Sequence, residues 1–141
     1  MSEEGPSREA PTDDGEPVWL TVDLIVAIHA RQLRLFGGPA GLRDPGALES
    51  ALGRPVNRRA YEDADLAACA AAYAFGIARN HPLVDGNKRA ALLALVTFLG
   101  LNGIDLVADE AQAVLIIRGL AAGEVDEAGL TRWVRDNWPK S

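Results

Sequence analysis

From Asp63 to Arg79 the chain reads Asp-Ala-Asp-Leu-Ala-Ala-Cys-Ala-Ala-Ala-Tyr-Ala-Phe-Gly-Ile-Ala-Arg, and no other stretch constrains the fold as strongly. Alanine is the best helix former, and Leu66, Cys69, Ala70, Tyr73 and Ile77 recur at helical spacing. A helix faced with alanine lets its neighbours approach closely, so this segment is predicted to be the central helix of a helical core. Its last residues lead directly into His81, which places whatever chemistry follows on a rigid support.

Other segments carry the same period, separated by glycine and proline. Thr21 is positioned to cap a helix to Phe36 that places Ile25, Ile28, His29, Gln32 and Phe36 on one face. His29 within that stripe reads as a hydrogen-bonded core or rim histidine. Three glycines between positions 37 and 41 suit a mobile flap. Asp44 and Pro45 then start a short helix that Gly53 and Pro55 are expected to end. A further helix should begin near Asn87, because Ala90 to Leu99 contains neither glycine nor proline. Ile104 to Val107 reads as extended and too short to define a sheet. Asp109 is predicted to cap a helix to about Ala122 with Gly123 as its stop, and a last helix runs from about Asp126 to Asn137. Leu130, Trp133 and Val134 share its inner face, and Trp133 and Trp138 read as packing residues. The fold class is all-α, a compact bundle of about six helices with room for a small flap hairpin.

Length and composition fit that reading. A chain of 141 residues with 48% hydrophobic content supports one domain and one core. Residues 1–17 are rich in Glu, Asp, Ser, Pro and Gly and are predicted to be a disordered acidic tail, with the domain spanning 18–141. No apolar stretch reaches membrane-spanning length, and the acidic first residues do not resemble a secretory leader, so a cytoplasmic location is expected. Cys69 is the single cysteine and reads as a small buried hydrophobe. The net charge of −6 argues against broad nucleic-acid binding. Arg54, Arg58 and Arg59 form a local basic cluster, most simply a solvated loop.

Chemistry concentrates in His81-Pro82-Leu83-Val84-Asp85-Gly86-Asn87-Lys88-Arg89. A helix beginning near Asn87 leaves its first amides without intrahelical partners, and the positive end of its dipole favours an anion. Lys88 and Arg89 add full charges there. Asp85 is a hard oxygen ligand of the kind that holds Mg²⁺, and His81 can exchange a proton near neutral pH. Singly these are ordinary turn and surface residues; in this order they form a phosphate-handling loop.

At these residues the chain resembles the Fic/Doc superfamily, whose AMP-transferring members carry HPFx[DE]GNGRxxR. It is similar to the Doc branch in having Lys88 in place of the second glycine and Leu92 in place of the final arginine. Leu83 departs from the usual phenylalanine and suggests a looser loop anchor. The segment from Gly37 to Pro55 looks like the family's flap and short helix, and the resemblance runs from about Val18 to Trp138. It implies a toxin of the Phd–Doc type that transfers the γ-phosphoryl group of ATP, with Mg²⁺, to a Thr or Ser hydroxyl, elongation factor Tu being the family's known target. His81 would then be the base, Asp85 the metal ligand, and Gly86, Asn87, Lys88 and Arg89 the phosphate-binding residues. The implied partner is a Phd-like antitoxin, since neither Glu49 nor Glu124 fits the inhibitory helix pattern of some Fic proteins. An AMP transferase and a silent phosphate-binding module are the alternatives.

Overall fold

The computed structural model describes residues 15–140. They form six helices: α1 Val22–Phe36, α2 Pro45–Glu62, α3 Leu66–Asn80, α4 Asn87–Leu101, α5 Glu110–Ala121 and α6 Glu127–Asp136. The predicted all-α class holds, and no strand occurs among the described residues; the flap contributes one antiparallel bridge, Leu42 to Leu83.

As the alanine run predicts, α3 is the axis. It packs on α2, α4, α5 and α6. Twelve of its fifteen residues are buried, and Tyr73 and Ile77 have no exposed surface. Gly76 shows how closely α2 lies: a Cβ there would sit 2.9 Å from the Ala51 Cβ. Burial pushes the Cys69 thiol up to about 11, so at neutral pH it is an inert protonated core residue. Burial also pushes the Tyr73 hydroxyl up to about 12 against the opposing pull of the Leu20 N–H, which donates to it at 2.9 Å. Tyr73 thereby holds the chain's entry into α1. Asn102 does the same from the end of α4, pairing through its amide with both the N–H and the carbonyl of Val18.

The start of the domain differs from expectation. Residues 1–14 of the predicted tail lie outside the described residues, but Pro17 is buried, Glu16 accepts from the Trp19 indole and the Gly15 carbonyl accepts from Arg59. Packing therefore begins before Val18.

The larger correction is α2, which does not stop at Gly53 and Pro55 but runs 18 residues to Glu62, with Asp63 in the left-handed conformation as its end. Proline in a helix removes the bond to the carbonyl four residues back, here that of Ala51. Burial of Leu48, Ala51, Leu52 and Pro55 against α3 overrides that local penalty. The arginines taken for a solvated loop consequently sit on a helix. Arg54 and Arg58 both pair with Glu127 of α6, and Arg58 also with Glu62. Burial disfavours the Arg58 charge, but the hydrogen bonds and charges of Glu62 and Glu127 outweigh it and raise its pKa.

The other helix limits agree with the sequence to within a few residues. Trp133 and Trp138 pack on the core as expected. Phe36 does not join the α1 stripe: it is 63% exposed, with the Arg89 guanidinium 4.1 Å from its ring centroid. Among the described residues no helix is long and apolar enough to cross a membrane.

Candidate active site

The turn between α3 and α4 and the first turn of α4 carry every residue the motif singled out. His81 ends α3 in the left-handed conformation (φ 50°, ψ 55°), its N–H donating to the Ile77 carbonyl. A non-glycine residue there is strained, and it persists only where its surroundings hold it. The side chain is exposed. Leu83 is 1% exposed and seats the loop in the core, so leucine anchors here despite the missing ring.

The Asn87 side chain is engaged within the loop. Its amide oxygen accepts from the Leu83 N–H at 2.9 Å and its amide nitrogen donates to the Leu83 carbonyl at 3.0 Å. That side chain staples the loop and is not a free donor; what Asn87 can offer an anion is its main-chain N–H.

Gly86 caps α4 at φ 76°, ψ 23°, with no side-chain cap bond, and the first intrahelical bond runs from the Ala90 N–H to the Gly86 carbonyl. The N–H groups of Asn87, Lys88 and Arg89 precede that bond and form an open cradle. Glycine suits this position because of the positive φ, and a Cβ would stand 2.6 Å from the Gln32 amide nitrogen, displacing that side chain. Lys88 is exposed and unengaged among the described residues, as is the Asp85 carboxylate. Gly38 of the flap leaves one face of that carboxylate open, because a Cβ at Gly38 would sit 3.1 Å from Asp85 Oδ2.

Three residues outside the motif hold this loop. His29, 4% exposed, donates from Nε2 to the Asp85 carbonyl at 3.1 Å, which agrees with its reading as a hydrogen-bonded buried histidine. Gln32, equally buried, reaches the Gly86 carbonyl at 3.4 Å, while its Oε1 has no partner. The signal for both was present in the sequence as polar residues at i and i+3 inside an apolar stripe. Arg43 had no such signal: it donates to the carbonyls of His81 and Asn80, the first at 2.7 Å.

Beside the loop, α1, α4 and α5 enclose a groove of about 520 Å³ floored by Ile28, Leu92, Leu93 and Val114. Lys88, Arg89 and Arg31 line it, as does Glu110; neither His81 nor Asp85 does.

His81 at a strained turn, the exposed Asp85 carboxylate, and an uncapped helix start followed by Lys88 and Arg89 lie in one continuous segment of an all-helical scaffold. The Fic/DOC family model matches residues 19–99, more than half of the chain. The protein is similar to "Protein kinase doc" of Escherichia phage P1, 35% identical over 112 residues covering 79% of this chain and 88% of that protein. It is also similar to "Toxin Doc" of Mycolicibacterium smegmatis, 49% identical over 76 residues covering 52% of this chain and 58% of that one. The chain belongs to the Fic/DOC family, and within it to the Doc branch that Lys88 and Leu92 indicate.

Proposed function

We propose that this chain is a Doc-type toxin that transfers the γ-phosphoryl group of ATP to a Thr or Ser hydroxyl of a protein, with elongation factor Tu the first target to test. The observation that carries the reading is the uncapped start of α4, whose first residues include Lys88 and Arg89 and which directly follows the loop that holds His81 and Asp85. The residues present fit Mg²⁺ and a polyphosphate: an exposed, unengaged hard carboxylate at Asp85, and the main-chain amides of an uncapped helix start beside it in sequence.

His81 takes the proton of the acceptor hydroxyl as that oxygen bonds to the γ-phosphorus and the bond to the β–γ bridging oxygen breaks, and it later returns the proton to solvent. The main-chain amides of Asn87, Lys88 and Arg89 orient the phosphate oxygens, and the two cations offset negative charge as it redistributes. Mg²⁺ held by Asp85 would supply further neutralisation. Lys88 stands where AMP-transferring relatives have glycine, and Leu92 offers no grip where they have arginine, which favours transfer of the terminal group.

A Phd-like antitoxin is the proposed partner, acting with this chain in the cytoplasm. The groove between α1, α4 and α5 supports that reading, because its apolar floor and cationic lining residues suit an amphipathic helix with acidic residues.

The test incubates the chain and its His81→Ala variant with Mg²⁺, elongation factor Tu and ATP labelled at the γ or the α position. Label from γ alone, reduced by about 100-fold or more in the variant, is the expected result. Label from α would make the chain an AMP transferase, and no label from either would remove this target or leave a silent binding module.

A further inference from the structure

His81 has an unusual problem for a base: no hydrogen bond engages its imidazole among the described residues. A general base is normally oriented by a second group on its ring. Here orientation comes only through the main chain, and that main chain is strained. The N–H of His81 is held by Ile77, inside α3. Its carbonyl is held from the flap.

We propose that Arg43 is a positioning residue for His81, fixing the base by clamping the carbonyls that flank it. Nε of Arg43 donates to the His81 carbonyl at 2.7 Å and Nη2 to the Asn80 carbonyl at 3.0 Å. Its main-chain N–H donates to the Pro82 carbonyl at 2.8 Å, so one residue engages three consecutive carbonyls. The first two lie at the end of α3, where helix carbonyls lack partners and the dipole is negative, so a planar cationic fork matches both charge and geometry. The bond from the Val84 N–H to the Gly41 carbonyl closes the same contact on its far side. Gly38, on the same flap, faces the Asp85 carboxylate. Movement of the flap therefore reaches the base through Arg43.

The proposal rests on His81 acting as the base, and the test separates the two ideas. The chain has two histidines, so imidazole labelling gives two ring signals, and His29, held by the Asp85 carbonyl, is the internal reference. Arg43 is exposed, and its replacement leaves the core intact. In Arg43→Ala the His81 ring signal should broaden or split while that of His29 stays put. kcat should fall about 10- to 100-fold, as for a misplaced reacting group, with the KM for ATP unchanged within about twofold. Arg43→Lys, which supplies a cation but not the fork, should recover part of both. Unchanged kcat and an unchanged His81 signal in Arg43→Ala would overturn the proposal, as would equal disturbance of His29, the mark of general loosening. If the unaltered chain transfers no label, the functional reading fails while the ring signals still decide the positioning role.

Discussion

Helices α3 and α4 lie side by side at the centre of the bundle and begin in opposite ways. α3 starts on Asp65, whose carboxylate accepts from the Ala68 N–H at 2.9 Å. Thr21, Asp44, Asp109 and Asp126 do the same for α1, α2, α5 and α6. α4 alone starts on a residue with no side chain. A capping side chain stabilises a helix by about 1 kcal/mol relative to alanine and by only a few tenths relative to glycine, so the open start of α4 costs the fold little. The contrast is between a helix start closed by its own side chain and one whose first amides stay open, the feature on which the proposed phosphate site rests. At Gly86 a Cβ would stand 2.6 Å from the Gln32 amide nitrogen, so a side chain there would displace Gln32.

Giving α4 the cap that α3 has should erase the contrast. Gly86→Asp strains a positive φ and puts a carboxylate on the free amides, so affinity for Mg-ATP should drop by at least about 100-fold, equivalent to the loss of one or two charge-assisted hydrogen bonds. Isothermal titration calorimetry reads this directly. The reciprocal change, Asp65→Ala, should lower stability by about 1 kcal/mol and leave nucleotide affinity alone. An affinity loss in Asp65→Ala would mean that the starts of α3 and α4 are not independent.

The α3 side of the contrast is sharpened by Gly76→Ala, whose methyl group would press on Ala51 at 2.9 Å. A destabilisation of about 2 kcal/mol in urea unfolding is expected from overpacking, with nucleotide affinity unchanged in the folded fraction. A neutral result would mean that α2 yields more readily than its buried Leu48 and Pro55 suggest.

Alkaline pH tests the same core more gently. The folded chain holds the Cys69 proton to about 11 against an ordinary value of 9.0, and the Tyr73 proton to about 12 against 10.0. Above pH 9 the unfolded chain therefore binds fewer protons than the folded one, and stability falls as pH rises. Each two-unit displacement corresponds to roughly 2 to 3 kcal/mol once fully developed. Unfolding midpoints between pH 8 and 11 should decline, and Cys69→Ala should remove the earlier part of that decline.

Much of this was legible in the sequence because its signals are local. Thr21, Asp44 and Asp109 are caps that act within three residues, and the alanine run needs only its own period to declare a buried helix. Pro55 misled because its penalty is local and its compensation is not: α3 and α6 carry the contacts that keep α2 continuous. His81, Asp85 and Lys88 stand out in the sequence as a motif, whereas the engagement of Asn87 with Leu83 depends on how the loop folds back. Arg43 was invisible because it acts on carbonyls 37 and 38 residues away, and main-chain carbonyls carry no sequence identity.

The most direct test follows backbone amide resonances during titration with Mg-ATP. The signals of Asn87, Lys88 and Arg89 should move in a saturable manner while those of Leu66, Ala67 and Ala68 at the capped start of α3 stay fixed. Saturable binding that leaves residues 87–89 unmoved, or no binding at millimolar nucleotide, would contradict the assignment of the open α4 start as the phosphate site.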